Sequence, residues 1–240
     1  MARKKEDFLC MVDANSYFYM RITELNNSKT LWDYLADSQK VCFSNIVNSE
    51  LNRNDKKFVA YYQITQSEVI KRHSKHAYNF KKNQTKLTLA LFDEIIKVGD
   101  KDGGEKANWA AAIDTFFQRK QLAYISDEDR AIGNSLKKRD GFLKDQIATF
   151  PFFPIWNTFD TILYLYARQI LTFDLAEDAI RGLDGFFLKL EKGTLETQKR
   201  DGTLSKDQFS RSIRDSFDRS NTRKIAYIER LQLIQKSLSV

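Results

Sequence analysis

Phe8-Leu9-Cys10-Met11-Val12 is an unbroken apolar run that stops at Asp13-Ala14-Asn15-Ser16, after which Tyr17-Phe18-Tyr19-Met20 opens an amphipathic stretch. A short apolar run without polar alternation predicts a strand buried on both faces, here one that feeds a helix. A second unit of the same form follows, in which Val41-Cys42-Phe43 leads into a helical pattern through Leu51, with Ser44 as its N-cap. Gln121-Leu122-Ala123-Tyr124-Ile125 reads as another buried strand, carrying Ser126-Asp127-Glu128-Asp129 at its C-terminal edge. Helical spacing fills the intervals, from Phe58 to Val98 and again through Trp109, Ile113, Phe116 and Phe117. Ile147-Ala148-Thr149-Phe150 is one more apolar run, ended by Pro151 and Pro154, and helices are expected over 159–171 and 175–190. This alternation predicts an α/β fold: a central, mostly parallel sheet flanked by helices.

Residues 193–240 differ from what precedes them. Gly193, Gly202 and dense alternating charge surround Phe209, Ile213, Phe217, Ile225, Ile228, Leu231 and Ile234, the pattern of a helical C-terminal extension. The expected division is therefore a domain over 1–192 and an extension over 193–240. Asp201-Gly202-Thr203-Leu204-Ser205 imitates part of a calcium loop, but Thr197, Lys199 and Gln208 stand where oxygen ligands are required, so calcium is rejected.

Composition sets the outer limits. Of 240 residues, 42% are hydrophobic and 30% charged, which is globular composition, and nine Gly with two Pro are too few for the frequent turns of an all-β sandwich. Cys10 and Cys42 both lie in apolar runs, which speaks against a disulfide framework and for a reducing compartment, the cytoplasm. No apolar stretch reaches the length of a membrane span or a signal peptide, so no membrane partner is expected. The net charge of +7 suits nucleic acid. It is concentrated in two places: residues 192–240 hold eleven basic residues against six acidic, and residues 71–86 hold six basic residues and no acid. Lys71, Arg72, Lys81 and Lys82 are the candidates there for tracking a phosphate backbone.

The acids point to chemistry. Asp13, Asp127 and Asp129 fall at or just past the C-terminal ends of strands expected to be parallel, and Glu50 falls in the helix after another. That edge is where open α/β sheets bind ligands. Carboxylates converging there repel one another unless a cation lies between them, which implies Mg²⁺ or Mn²⁺, hard ions that prefer oxygen. The competing reading of each acid is a helix cap.

Taken in order, Met11-Val12-Asp13-Ala14-Asn15, Asn45-Ile46-Val47-Asn48-Ser49-Glu50-Leu51-Asn52-Arg53 and Tyr124-Ile125-Ser126-Asp127-Glu128-Asp129-Arg130-Ala131-Ile132 resemble the motif series of PIN-domain nucleases over roughly residues 8–190. The resemblance implies that Asp13, Glu50, Asp127 and Asp129 are the catalytic and metal-holding acids. It also implies that Asn15 orients a ligand or water against nucleic acid. One position departs from the family pattern: Asn108 stands where a further acid is usual, and Glu105, one turn earlier on the same expected helix, is the candidate replacement. The implied activity is a Mg²⁺- or Mn²⁺-dependent endoribonuclease acting on single-stranded RNA. The alternatives are a non-catalytic member that binds nucleic acid or protein, and a DNA 5′-nuclease of phage type, although no helix-hairpin-helix for duplex DNA is present. A homodimer or a regulatory protein partner would fit the same reading.

Overall fold

The computed structural model describes residues 9–25, 29–44, 47, 51, 77–78, 112, 121–127 and 154–239. By contacts the chain divides into two units, one from Met1–Ile22 and Leu35–Thr158, the other from Thr23–Tyr34 and Phe159–Val240.

The first unit is built on a sheet. Its strands are β1 (Leu9–Val12), β2 (Lys40–Ser44), β3 (Ala77–Tyr78), β4 (Leu122–Ile125) and β5 (Ile155–Trp156). They stand in the order β3-β2-β1-β4-β5, and every pairing is parallel. The first strand in sequence is thus central, and the order reverses between β1 and β4. Cys10, Met11 and Val12 are fully buried, as are Ala123, Tyr124 and Ile125, which explains why these strands read as solid apolar runs rather than alternating ones. Helix α1 (Ala14–Ile22) leaves β1 directly, and the Tyr17 N–H closes its first turn onto the Asp13 carbonyl at 3.0 Å. Tyr17 and Phe43 pack edge to face with centroids 5.8 Å apart. Beyond β2, the Ser44 hydroxyl accepts from the Val47 N–H at 3.2 Å, the expected cap, and Val47 and Leu51, one helical turn apart, are fully buried.

Two strands were not anticipated. Ala77–Tyr78 lies inside the stretch read as continuous helix, yet pairs in parallel with Phe43 and Ser44. Ile155–Trp156 follows Pro154 directly; the apolar run at 147–150 lies outside the described residues. Proline has no N–H to give a ladder, but its carbonyl remains, and the Pro154 carbonyl accepts from Tyr124 at 3.0 Å as β5 begins.

Helix α2 (Leu31–Ser38) spans the division between units, and its start belongs to the second. Thr30 and Asp33 cap it reciprocally: the Asp33 carboxylate accepts from the Thr30 N–H at 2.9 Å, and the Thr30 hydroxyl accepts from the Asp33 N–H at 3.4 Å.

The second unit holds α3 (Thr158–Ala167) from Phe159 onward, α4 (Phe173–Arg200) and α5 (Lys206–Leu238). The last two form an antiparallel hairpin. The boundary expected at 192/193 falls within α4, which runs unbroken through Gly193. The connection is the imitation calcium loop: Gly202 takes φ of 74°, and Ser205 with Gln208 forms a complete capping box on α5. Inside the hairpin, Asp184 is 2% exposed and receives Arg223 Nε at 2.9 Å and the Ser220 hydroxyl at 2.5 Å. The Arg223 guanidinium also lies over the rings of Phe159 and Phe187, while Phe159 stacks on Tyr227 at 4.8 Å. No described helix is long and apolar enough to cross a membrane.

Candidate functional site

The site is set by strand register. Val12 pairs with Ile125, and the Asp13 N–H continues the ladder to the Ile125 carbonyl at 2.9 Å. Both strands then end, and both continue in an acid: Asp13 directly after β1, Asp127 two residues after β4. The two carboxylates therefore leave neighbouring strands at the C-terminal edge of a parallel sheet, at the point where the strand order reverses. This is where such sheets bind ligands.

Asp13 is buried and stands at the N-cap of α1, so the positive end of a nine-residue helix lies beside it. Asp127 is half-buried, and the helices that follow both strands flanking β4 send it hydrogen bonds. From the β1 side, the Ser16 hydroxyl in the first turn of α1 donates to Oδ2 at 2.7 Å. From the β5 side, the Thr158 N–H donates to Oδ1 at 3.0 Å, and the Thr158 hydroxyl donates to Oδ2. Ser16 and Thr158 are fully buried, so their donors are spent on this carboxylate rather than on water. Hydrogen bonds to an ionised acceptor contribute about 1.5–3 kcal/mol each, and together these fix the Asp127 rotamer.

Asn15 is exposed, at the second position of α1. It faces solvent near the sheet edge. Glu50, Glu105, Asn108 and Asp129, and the basic residues Lys71, Arg72, Lys81 and Lys82, lie outside the described residues. Among the described residues no group of three or more His, Cys, Asp or Glu comes together. What is described is two of the four acids that the resemblance implies, hard oxygen donors of the type Mg²⁺ and Mn²⁺ accept.

Sequence reading missed Ser16 and Thr158. Ser16 had a readable signal, since a hydroxyl three residues after a strand-ending acid lies in the first turn of the following helix. Thr158 had none, because its role depends on β5, a strand of two residues.

Burial, with the neighbouring Cys42, pushes the Cys10 thiol far above its ordinary range, and Cys42 Sγ rests 3.7 Å from Met11 Sδ.

Compared with known proteins, the chain matches no family model, no curated protein and no solved structure.

Proposed function

We propose that the chain is a metal-dependent endoribonuclease that hydrolyses phosphodiester bonds of single-stranded RNA, of the PIN-like kind its ordered motifs resemble. The observation that supports this most is the β1–β4 register, which brings Asp13 and Asp127 to adjacent strand ends where the sheet order reverses. In this reading Asp13 and Asp127 hold Mg²⁺ or Mn²⁺ together with Glu50, Asp129 and Glu105, with Asn108 able to offer one amide oxygen. Such an ion lowers the pKa of a bound water and neutralises charge on the leaving oxygen. Ser16 and Thr158 keep the Asp127 oxygens from rotating away from the shared edge, so no reorganisation is required when a phosphodiester arrives. Asn15 reaches from the first turn of α1 to orient water or substrate, and Lys71, Arg72, Lys81 and Lys82 track the backbone.

Incubating labelled single- and double-stranded RNA and DNA with Mn²⁺, Mg²⁺ or EDTA tests the proposal. Cleavage of single-stranded RNA that needs the metal and is lost in both Asp13→Asn and Asp127→Asn is expected. Cleavage that persists in EDTA sinks the mechanism.

A second reading, a PIN-like binding module without catalysis, draws on one structural fact: Asp127 already accepts from Ser16 and Thr158, as a purely structural carboxylate does. Asn108 in place of an acid leans the same way. It predicts RNA binding that neither metal nor EDTA alters, with no cleavage.

A further inference from the structure

Near the tip of the α4–α5 hairpin lies a notch of about 570 Å³ lined by Lys192, Glu196, Lys199 and Arg200 of α4 and by Phe209 and Ile213 of α5. Three cations and one carboxylate surround an apolar floor made of an aromatic ring and a branched aliphatic chain. We infer that this notch binds one nucleotide of a single-stranded nucleic acid, its base against Phe209 and Ile213 and its flanking phosphates on Lys192, Lys199 and Arg200.

The charges are available for exchange. Lys192 and Arg200 meet Glu196 and Asp201 at 4.0 and 3.7 Å, with all four side chains more than half exposed, so these pairs contribute little and yield readily to phosphate. Lys199 makes no ion pair among the described residues; its ammonium lies 4.5 Å from the centroid of the Phe209 ring. A lysine parked on an aromatic face marks a place where a cation and a π-surface already share one wall. Phe209 is half-buried, and a base that displaces the flexible Lys199 ammonium from its ring meets cations beside a π-face, the combination by which single strands are held without sequence preference. The volume falls within the range of small-ligand sites. A paired base cannot enter such a notch, which favours single strands over duplex.

The inference is independent of catalysis, because it concerns binding without metal. The test is fluorescence anisotropy of the full chain in EDTA with labelled oligouridylate, oligothymidylate and an RNA duplex, over a range of salt. Combined Lys192→Gln, Lys199→Gln and Arg200→Gln should weaken single-strand binding about tenfold and reduce the slope of log affinity against log salt by about 2, at ~0.7 per phosphate contact. Phe209→Leu, which keeps the floor apolar but removes the ring face, should weaken it at least about fivefold with the slope unchanged. Glu196→Gln should tighten it two- to threefold, a gain that a misfolded variant cannot mimic. Wild-type affinity in the triple variant overturns the inference. Equal weakening toward the duplex, or indifference to Phe209→Leu, overturns it in favour of a plain basic surface. Loss of binding in these variants with cleavage absent in every metal would retain the notch and reject the nuclease reading; metal-dependent cleavage with unaltered binding would do the reverse.

Discussion

Asp127 and Cys10 illustrate opposite uses of burial at single residues. The carboxylate is half-buried but supplied with donors, which hold it oriented; the thiol is buried among apolar strands and is kept neutral. Asp127→Ala leaves the Ser16 and Thr158 hydroxyls and the Thr158 N–H facing a void, and should lower the melting midpoint by the equivalent of about 2–3 kcal/mol, measured by thermal or urea unfolding. That expectation separates Asp127 from an acid whose chief effect on the empty site is repulsion, for which neutralisation would raise the midpoint instead. For Cys10, the folded chain holds its proton more tightly than the unfolded one, which ionises near the ordinary value of about 9.0. Its contribution to stability is therefore complete below that pH and falls as pH rises above it. Iodoacetamide at pH 8.5 should leave Cys10 unmodified in the native protein and alkylate it in urea, as read by mass spectrometry; rapid native labelling would show that the strand opens.

The elements vary in how plainly their residues announce them. β1 and β4 were legible because each is an apolar run cut off by acid, and burial on both faces demands that composition. With them came the two candidate residues that the β1–β4 register brings to one sheet edge, Asp13 and Asp127. β3 and β5 were not legible: two residues carry no period, and what makes them strands is the ladder offered by Phe43–Ser44 and Tyr124–Ile125, a property of the neighbours. α4 outran its expected end near 190 because Gly193 was read as a break. An isolated glycine in an exposed helix costs only about 1 kcal/mol, which the packing of α4 on α5 outweighs. The real break is Gly202, where φ is 74° and an added Cβ would meet nothing within 4 Å. The cost of Gly202→Ala is thus conformational alone, about 1 kcal/mol, and Gly202→Asn should cost less. Ser205→Ala, which removes half of the capping box on α5, should cost about 1 kcal/mol. Urea midpoints of the three variants check both values, and a neutral Gly202→Ala would mean the turn relaxes to another form.

At the scale of the whole chain, the C-terminal segment is part of a core rather than a tail. Asp184 finds its only described cation in Arg223, Phe159 is stacked by Tyr227, and Leu231 is fully buried. Ending the chain after residue 204 would strip Asp184 of α4 and Phe159 of α3 of these partners and expose to water the faces that α5 packs against. Such a truncation should lose the cooperative unfolding of the second unit and self-associate, as followed by circular dichroism and size-exclusion chromatography; a monomer with sharp unfolding would show that α5 is dispensable. Point substitutions, not deletion, are accordingly the way to probe this region. The sheet has its own long-range dependence. Ser16 and Asp127 are 111 positions apart, and Thr158 lies another 31 beyond. During synthesis, at about 5–20 residues per second, the central strand emerges first and then waits several seconds for one of its two neighbours. A nascent chain still attached to its own message therefore carries Asp13 without Asp127 in place, and acquires both only after Thr158 has cleared the ribosome. If the proposed chemistry holds, the protein stays unarmed next to its own message until that point in synthesis.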